Sequence, residues 1–314
     1  KPLAFIEDAA VPIEHLPEYI DSVVKVCEKY GTFPAMYAHA SVGLIHVRPI
    51  LDLRKQEDIE KLKGIVNDTF DLVVKYKGAW SGEHGDGMVR SPFNEKFFGK
   101  QLYNAFKEVK RLFDPKNLMN PGKIVDAEPI DNNLKYGADY KDSEIATQFH
   151  YRKEGNFSES VHMCTGVGEC RKTMGGTMCP SFRATRDEEH STRGRANALR
   201  MAMSNQLDDM GLASPRLHQA LDLCLSCKAC KSECPSNVDM AKMKSDVQQL
   251  FYEKHGTTLR DRLIRDSAKA SKRFSGGLAT LVNGIQRSGF FRSAMDSLAG
   301  FDKKRVLPDY APEP

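Results

Sequence analysis

Cys224-Leu225-Ser226-Cys227-Lys228-Ala229-Cys230-Lys231-Ser232-Glu233-Cys234-Pro235 decides how the second half of this 314-residue chain folds. Four cysteines at these intervals form a tight loop that can set three thiolates on three irons of a cubane. The proline then turns the fourth cysteine away, toward a neighbouring cluster. A zinc site explains Cys-x2-Cys pairs but not a run that closes in Cys-Pro.

A second set lies upstream. Cys164-x5-Cys170 followed by Cys179-Pro180 has the same outline, with Val167 standing where a middle cysteine would be. In a two-cluster arrangement each set lends its last cysteine to the other. That exchange gives Cys179, Cys224, Cys227 and Cys230 to one [4Fe–4S] cluster and leaves Cys164, Cys170 and Cys234. Three thiolates either hold a cluster with one corner free or bind nothing, and the spacing alone leaves both open. The remainder resembles the iron–sulfur subunit of succinate dehydrogenase, in which a Cys-x5-Cys set with an aliphatic middle residue holds a [3Fe–4S] cluster. The resemblance covers residues 161–240.

Around these sets the chain carries a formal charge of +4, unevenly placed: residues 242–305 hold fourteen Lys/Arg against six Asp/Glu. This basic tail could meet anionic lipid or an acidic partner protein, but it lacks the aromatic interleaving of a nucleic-acid surface, and a solvated helical face is the plain reading. No apolar run reaches eighteen residues, so no transmembrane segment is expected. Seven of the eight cysteines fall between Cys164 and Cys234 at metal-ligand spacings, which points to a reducing compartment, the cytoplasm or the periphery of a membrane facing it. The chain opens on Lys1-Pro2-Leu3-Ala4-Phe5 and closes in Pro308-Asp309-Tyr310-Ala311-Pro312-Glu313-Pro314, and reads as a piece of a longer polypeptide.

The first half has a different periodicity. Leu3–Ile6 reads as a strand, Pro17–Tyr30 as a helix with Ile20, Val23, Val24 and Cys27 on its apolar face, Ala35–His39 and Ile45–Ile50 as strands about a Ser41-Val42-Gly43 turn. A helix from Gln56 to about Lys77, a glycine loop at 81–87 and an amphipathic helix over Phe97–Phe113 follow. This βαββα order predicts an α+β domain, an antiparallel sheet with helices on one face, over residues 1–125. Residues 126–160 are polar and weakly periodic, as a linker is. Beyond them an all-α ferredoxin-like domain is expected over 161–240, with a helical extension over 241–314.

His39 and His46 flank the turn, so a hairpin can bring their imidazoles together, and Glu83-His84 adds a carboxylate and a third imidazole in a glycine-rich loop. Two His and one Glu with open positions suit a catalytic divalent cation, although a histidine pair on a hairpin also occurs as plain structure. Three stretches bear on the choice: Ser81-Gly82-Glu83-His84-Gly85-Asp86-Gly87; Leu112-Phe113-Asp114-Pro115-Lys116-Asn117-Leu118-Met119-Asn120-Pro121-Gly122-Lys123; and Phe5-Ile6-Glu7-Asp8-Ala9-Ala10-Val11-Pro12. Together they resemble the C-terminal domain of FAD-linked oxidases, a family that includes D-lactate, glycolate and D-2-hydroxyglutarate dehydrogenases. With Cys164-Thr165-Gly166-Val167-Gly168-Glu169-Cys170 behind them, the order is similar to that of the large fused bacterial FAD/iron–sulfur D-2-hydroxyglutarate dehydrogenases. The family's His-x-Gly-Asp-Gly-Asn-x-His is here His39-Ala40-Ser41-Val42-Gly43-Leu44-Ile45-His46, which keeps both histidines and replaces the Asn by Leu44.

The resemblance implies that His39, His46 and Glu83 hold a divalent ion, zinc or manganese, and that His84 takes the hydroxyl proton of a D-2-hydroxy acid. It implies FAD bound mostly by an upstream domain, with Asn120 at the cofactor, and a quinone or protein as final electron acceptor. Arg48 and Arg90 are candidates for the substrate carboxylate, because a guanidinium can grip it with two parallel hydrogen bonds, while surface arginines are the plain alternative. An electron-transfer subunit without its own substrate site, a metal-dependent hydrolase fused to a ferredoxin, and a D-lactate or glycolate dehydrogenase remain as other readings.

Overall fold

The alternation around Gly43 is realised as a hairpin: strand β2 is Pro34–His39, strand β3 is Leu44–Pro49, and Tyr37 pairs with His46 in the antiparallel register. Gly43 sits at φ 69°, and a Cβ there would lie 1.9 Å from the carbonyl oxygen of Val11, so only glycine fits the turn. This computed structural model describes residues 2–142 and 145–313. Strand β1, Ala9–Ala10, lies on the other side of β3, giving an antiparallel order β1-β3-β2. The strand expected at Leu3–Ile6 does not form. Leu3 donates to the Pro49 carbonyl and Pro2 bridges Ile50, but the chain then bends away, and Asp8 at φ 80° redirects it before Ala9 joins the sheet.

Helix α1, Leu16–Lys29, and helix α2, Gln56–Lys75, cover one face of this sheet. Tyr19, Val23 and Cys27 of α1 meet Val66, Phe70 and Val73 of α2 over Ile45 and Val47, all at most 2 % exposed. Burial, with Glu28 nearby, pushes the Cys27 thiol up to about 11, as befits a core residue rather than a ligand. Helix α3, Gly87–Arg90, leads into α4, Asn94–Phe113, which begins earlier than its periodicity suggests and breaks at Gly99, where φ is 77°. Trp80, Phe70 and Phe93 close the lower end of the core with ring centroids 4.9 to 5.4 Å apart.

The division between two compact units falls between Tyr140 and Lys141, inside the polar stretch expected as a linker. Val125 is buried in the first unit, and Asp126 donates its amide to Tyr103. Tyr151 and Phe157 already belong to the core of the second unit, so residues 126–160 are shared out rather than free.

Among the described residues, all regular elements of the second unit are helical: α5 Phe157–His162, α6 Pro180–Thr185, α7 Thr192–Met203, α8 Pro215–Asp222, α9 Ala229–Glu233 and α10 Met240–His255. Then come α11 Leu259–Arg265, α12 Ser267–Phe274, α13 Ala279–Arg287 and α14 Gly289–Ala299. Leu199 and Met203 of α7, Leu217 and Leu221 of α8, and Met240, Met243 and Val247 of α10 form a core at most 1 % exposed. Asp246, on α10 and itself 1 % exposed, accepts the Tyr151 hydroxyl at 2.6 Å and the Gln148 amide at 2.7 Å, which ties the incoming chain to that core. Among the described residues no helix is long and apolar enough to cross a membrane.

Candidate functional site

Opposed residues of an antiparallel pair share a face, so Tyr37, His39, His46 and Arg48 all project from one side of the hairpin. His46 is buried and its ring stands 5.4 Å from that of His39, nearly perpendicular to it. The loop after α2 brings Glu83 to the pair: its Oε1 lies 3.2 Å from His46 Nε2 and 3.6 Å from His39 Nε2. His84 stacks on His46 at 5.0 Å, with Nε2 3.1 Å from Glu83 Oε1 and Nδ1 3.4 Å from Glu7 Oε1. Donor atoms of His39, His46 and Glu83 all lie within 4.8 Å of one another. Two further triplets, Glu7–His46–His84 and Asp8–Glu83–His84, overlap them. His46 Nδ1 is buried with no hydrogen-bond partner among the described residues. Two imidazoles and a carboxylate this close, with a buried ring nitrogen left over, fit a divalent cation of the zinc or manganese type.

Asp8 builds the loop that carries Glu83, a part that the sequence reading missed. It is fully buried and accepts three bonds, from Ser81 Oγ at 2.8 Å, the Glu83 amide at 2.9 Å and the His84 amide at 3.0 Å. Burial pushes its carboxyl up, but these three donors and the nearby Arg90 guanidinium outweigh burial and hold it below the usual range. Gly82 lets the loop descend, since a Cβ there would come within 2.4 Å of the Leu44 side chain. Leu44, which stands where the family pattern has Asn, therefore packs beneath the loop. The only signal of Asp8 in the sequence is an acidic pair, Glu7-Asp8, inside an otherwise apolar stretch.

The two arginines part company. Arg90, expected to grip a substrate carboxylate, is 7 % exposed, and its nitrogens donate to the carbonyls of Gly85 and Glu7 while facing Asp8 at 3.7 Å. It braces the loop from behind. Arg48 is more open. It pairs with Glu7 at 2.9 Å, donates to the Tyr37 hydroxyl at 2.6 Å and leaves Nη1 without a bond to any described residue. Asn120 is exposed at φ 49° in the 120–123 loop. Replacing Asp8 by Asn should lower divalent-metal affinity about 10- to 100-fold, the usual effect of disturbing groups that orient ligands. Calorimetric titration with manganese or zinc would measure it, and unchanged affinity would separate the loop from the metal site.

In the second unit, Cys179, Cys224, Cys227 and Cys230 line one small cavity. Cys164, Cys170 and Cys234 line another, with Val167 on its wall. The two loops curl alike: Ser226 and Lys228 in one, and Gly166 and Gly168 in the other, are left-handed at equivalent positions. This alternation turns the intervening backbone around a centre. Cys179 opens α6 with Pro180 at its first turn, which aims the thiol into the cavity of the other loop. Burial pushes the thiols of Cys170 and Cys230 up. Burial also acts on Cys179, but the Ser181 hydroxyl, the Phe182 amide and Arg195 outweigh it and draw that thiol down. Thiolate character is what a metal cluster requires.

Comparison with known proteins agrees with both halves. The family of FAD linked oxidases, C-terminal domain, matches residues 1–124, and the 4Fe-4S dicluster domain matches residues 160–238. The D-2-hydroxyglutarate dehydrogenase of Escherichia coli is 30% identical over 305 residues, covering 84% of this chain and 29% of that protein. Its counterpart in Pseudomonas putida is 32% identical over 303 residues with the same coverage. The D-lactate dehydrogenase of Archaeoglobus fulgidus is 35% identical over 119 residues, covering 38% of this chain and 26% of that protein. The chain thus spans under a third of the length of the D-2-hydroxyglutarate dehydrogenases it matches. Residues 1–124 thus resemble an FAD-linked oxidase C-terminal domain and residues 160–238 a 4Fe-4S dicluster domain, in that order.

Proposed function

We propose that this chain is the substrate-side and relay portion of a flavin-dependent dehydrogenase that oxidises a D-2-hydroxy acid, with D-2-hydroxyglutarate as the substrate. One observation carries the choice: the similarity to D-2-hydroxyglutarate dehydrogenases covers 84% of the chain and so runs through both domains, whereas the D-lactate and glycolate relatives match about 40% of it. A divalent ion at His39, His46 and Glu83 would supply Lewis acidity, a flavin held by the rest of the polypeptide would supply the hydride acceptor, and the clusters would carry single electrons to a quinone or protein.

The residues then have separate tasks. His84 receives the hydroxyl proton at Nε2, while Glu7 on Nδ1 fixes the ring. An imidazole suits this work at neutral pH. Arg48, with Nη1 open and Tyr37 beneath its guanidinium, binds a carboxylate of the acid. Asn120 is assigned to the flavin edge. The full-length polypeptide, mixed anaerobically with a panel of D- and L-2-hydroxy acids, should show flavin bleaching by D-2-hydroxyglutarate, lost on treatment with a chelator and restored by manganese or zinc. Equal bleaching by the L-acids, or none by any acid, would sink the assignment.

Val167 stands at the middle-cysteine position of the second cavity, where three thiolates suit a [3Fe–4S] cluster. Introducing Val167→Cys should complete a fourth ligand and convert the EPR signal of the oxidised three-iron form into that of a reducible four-iron cluster. An unchanged spectrum, with unchanged iron content, would count against this ligand set.

A further inference from the structure

Two cations are buried beside the first cysteine cavity. Arg195 on α7 is 1 % exposed and lines that cavity. Its Nη1 points to Cys179 Sγ at 3.6 Å, Nη2 donates to Ser181 Oγ at 2.9 Å, and Nε donates to the Ala220 carbonyl at 3.1 Å. Lys244 on α10 is 7 % exposed and donates to the carbonyl oxygens of Cys224 at 2.8 Å and Asp222 at 3.2 Å. Neither forms an ion pair with a carboxylate of any described residue.

The other cavity is different. Arg193, on its wall, pairs with Glu188 at 2.8 Å, and Lys172 pairs with Glu169, another wall residue, at 3.0 Å. Cations there are ion-paired within the protein, whereas Arg195 and Lys244 hydrogen-bond only neutral oxygens and a cysteine sulfur, with Glu189 and Asp222 acting on them from beyond ion-pair distance. A buried ion without a counter-charge is strongly destabilising, so a site built this way calls for an anion. Four thiolates around an iron–sulfur core carry more negative charge than the core carries positive charge. Each electron added increases the excess by one. Nearby cations therefore favour the reduced state, and an N–H donor on a ligand sulfur acts in the same direction.

We propose that Arg195 and Lys244 are the counter-charges of the cluster held by Cys179, Cys224, Cys227 and Cys230 and that they raise its reduction potential, making it the readier acceptor of the pair. The inference rests on that ligand assignment. Both are positioning residues, since they tune the cluster without transferring anything themselves.

The test uses the whole chain, loaded anaerobically with iron and sulfide and titrated potentiometrically with EPR detection. In Arg195→Gln the ratio of reduced to oxidised cluster at a fixed potential should fall about tenfold, which is a midpoint about 59 mV lower for one electron. Lys244→Met should move the same way, and Arg195→Lys, which keeps the charge, should stay within about threefold of the parent ratio. Parent midpoints in loaded Arg195→Gln and Lys244→Met would overturn the inference while leaving the cluster assignment standing. If Arg195→Gln does not load, Lys244→Met decides by the same criterion. Zinc in place of iron in the parent chain would overturn both the ligand assignment and the inference.

Discussion

Replacement of His84 by Ala in the full-length polypeptide should slow substrate-dependent flavin reduction by about 10²- to 10⁴-fold, the share that a positioned acid–base group contributes. The size follows from how the ring is held. His84 stacks on the buried His46 and is flanked by Glu7 on one nitrogen and Glu83 on the other, so the orientation of its ring is fixed before any substrate arrives. A group fixed beforehand contributes more than a mobile one. His84→Ala leaves His39, His46 and Glu83 in place, so metal content measured by elemental analysis should be unchanged. A loss of metal together with rate would make His84 a ligand instead. Unchanged flavin reduction would favour the reading in which the first domain only docks an electron carrier.

How far the sequence could be read depended on whether the deciding interaction was local. The hairpin was legible because the alternation on either side of Gly43 fixes register and face together, and so places His39, His46 and Arg48 on one side. The cysteine loops were legible for the same reason, since spacing within twelve residues fixes how a loop curls. Arg90 was not. Its expected partner was a substrate, but the guanidinium turns inward because Gly85 and Glu7 present carbonyls and Asp8 presents charge, groups that converge only in three dimensions. Asp8 was hidden likewise. Its role depends on the amides of Glu83 and His84, more than seventy positions away. The first strand was misplaced because Leu3, Phe5 and Ile6 are apolar, the last two buried and Leu3 partly so, yet the left-handed backbone at Asp8 takes the chain out of the ladder.

Cys179→Ser and Cys234→Ser form the second large-effect pair, and together they separate two ways of sharing seven thiolates. If each cysteine set served its own cluster, Cys234→Ser would remove the four-iron signal and Cys179→Ser would spare it. The exchanged arrangement gives the opposite result, because Cys179 lines the cavity with Cys224, Cys227 and Cys230, while Cys234 lines the one with Cys164 and Cys170. Cys179→Ser should therefore abolish the [4Fe–4S] EPR signal and cut the chain's iron by more than half, with Cys234→Ser retaining that signal. Substrate should still bleach the flavin in Cys179→Ser, since the His39–His46–Glu83 residues lie in the other unit. Onward transfer to an acceptor should stop. Flavin reduction without electron delivery is the pattern a relay requires, because a reduced flavin holds a pair of electrons and each cluster accepts them singly. If Cys179→Ser passed electrons to the acceptor at the parent rate, the second domain would lie off the electron path, whatever metal it held.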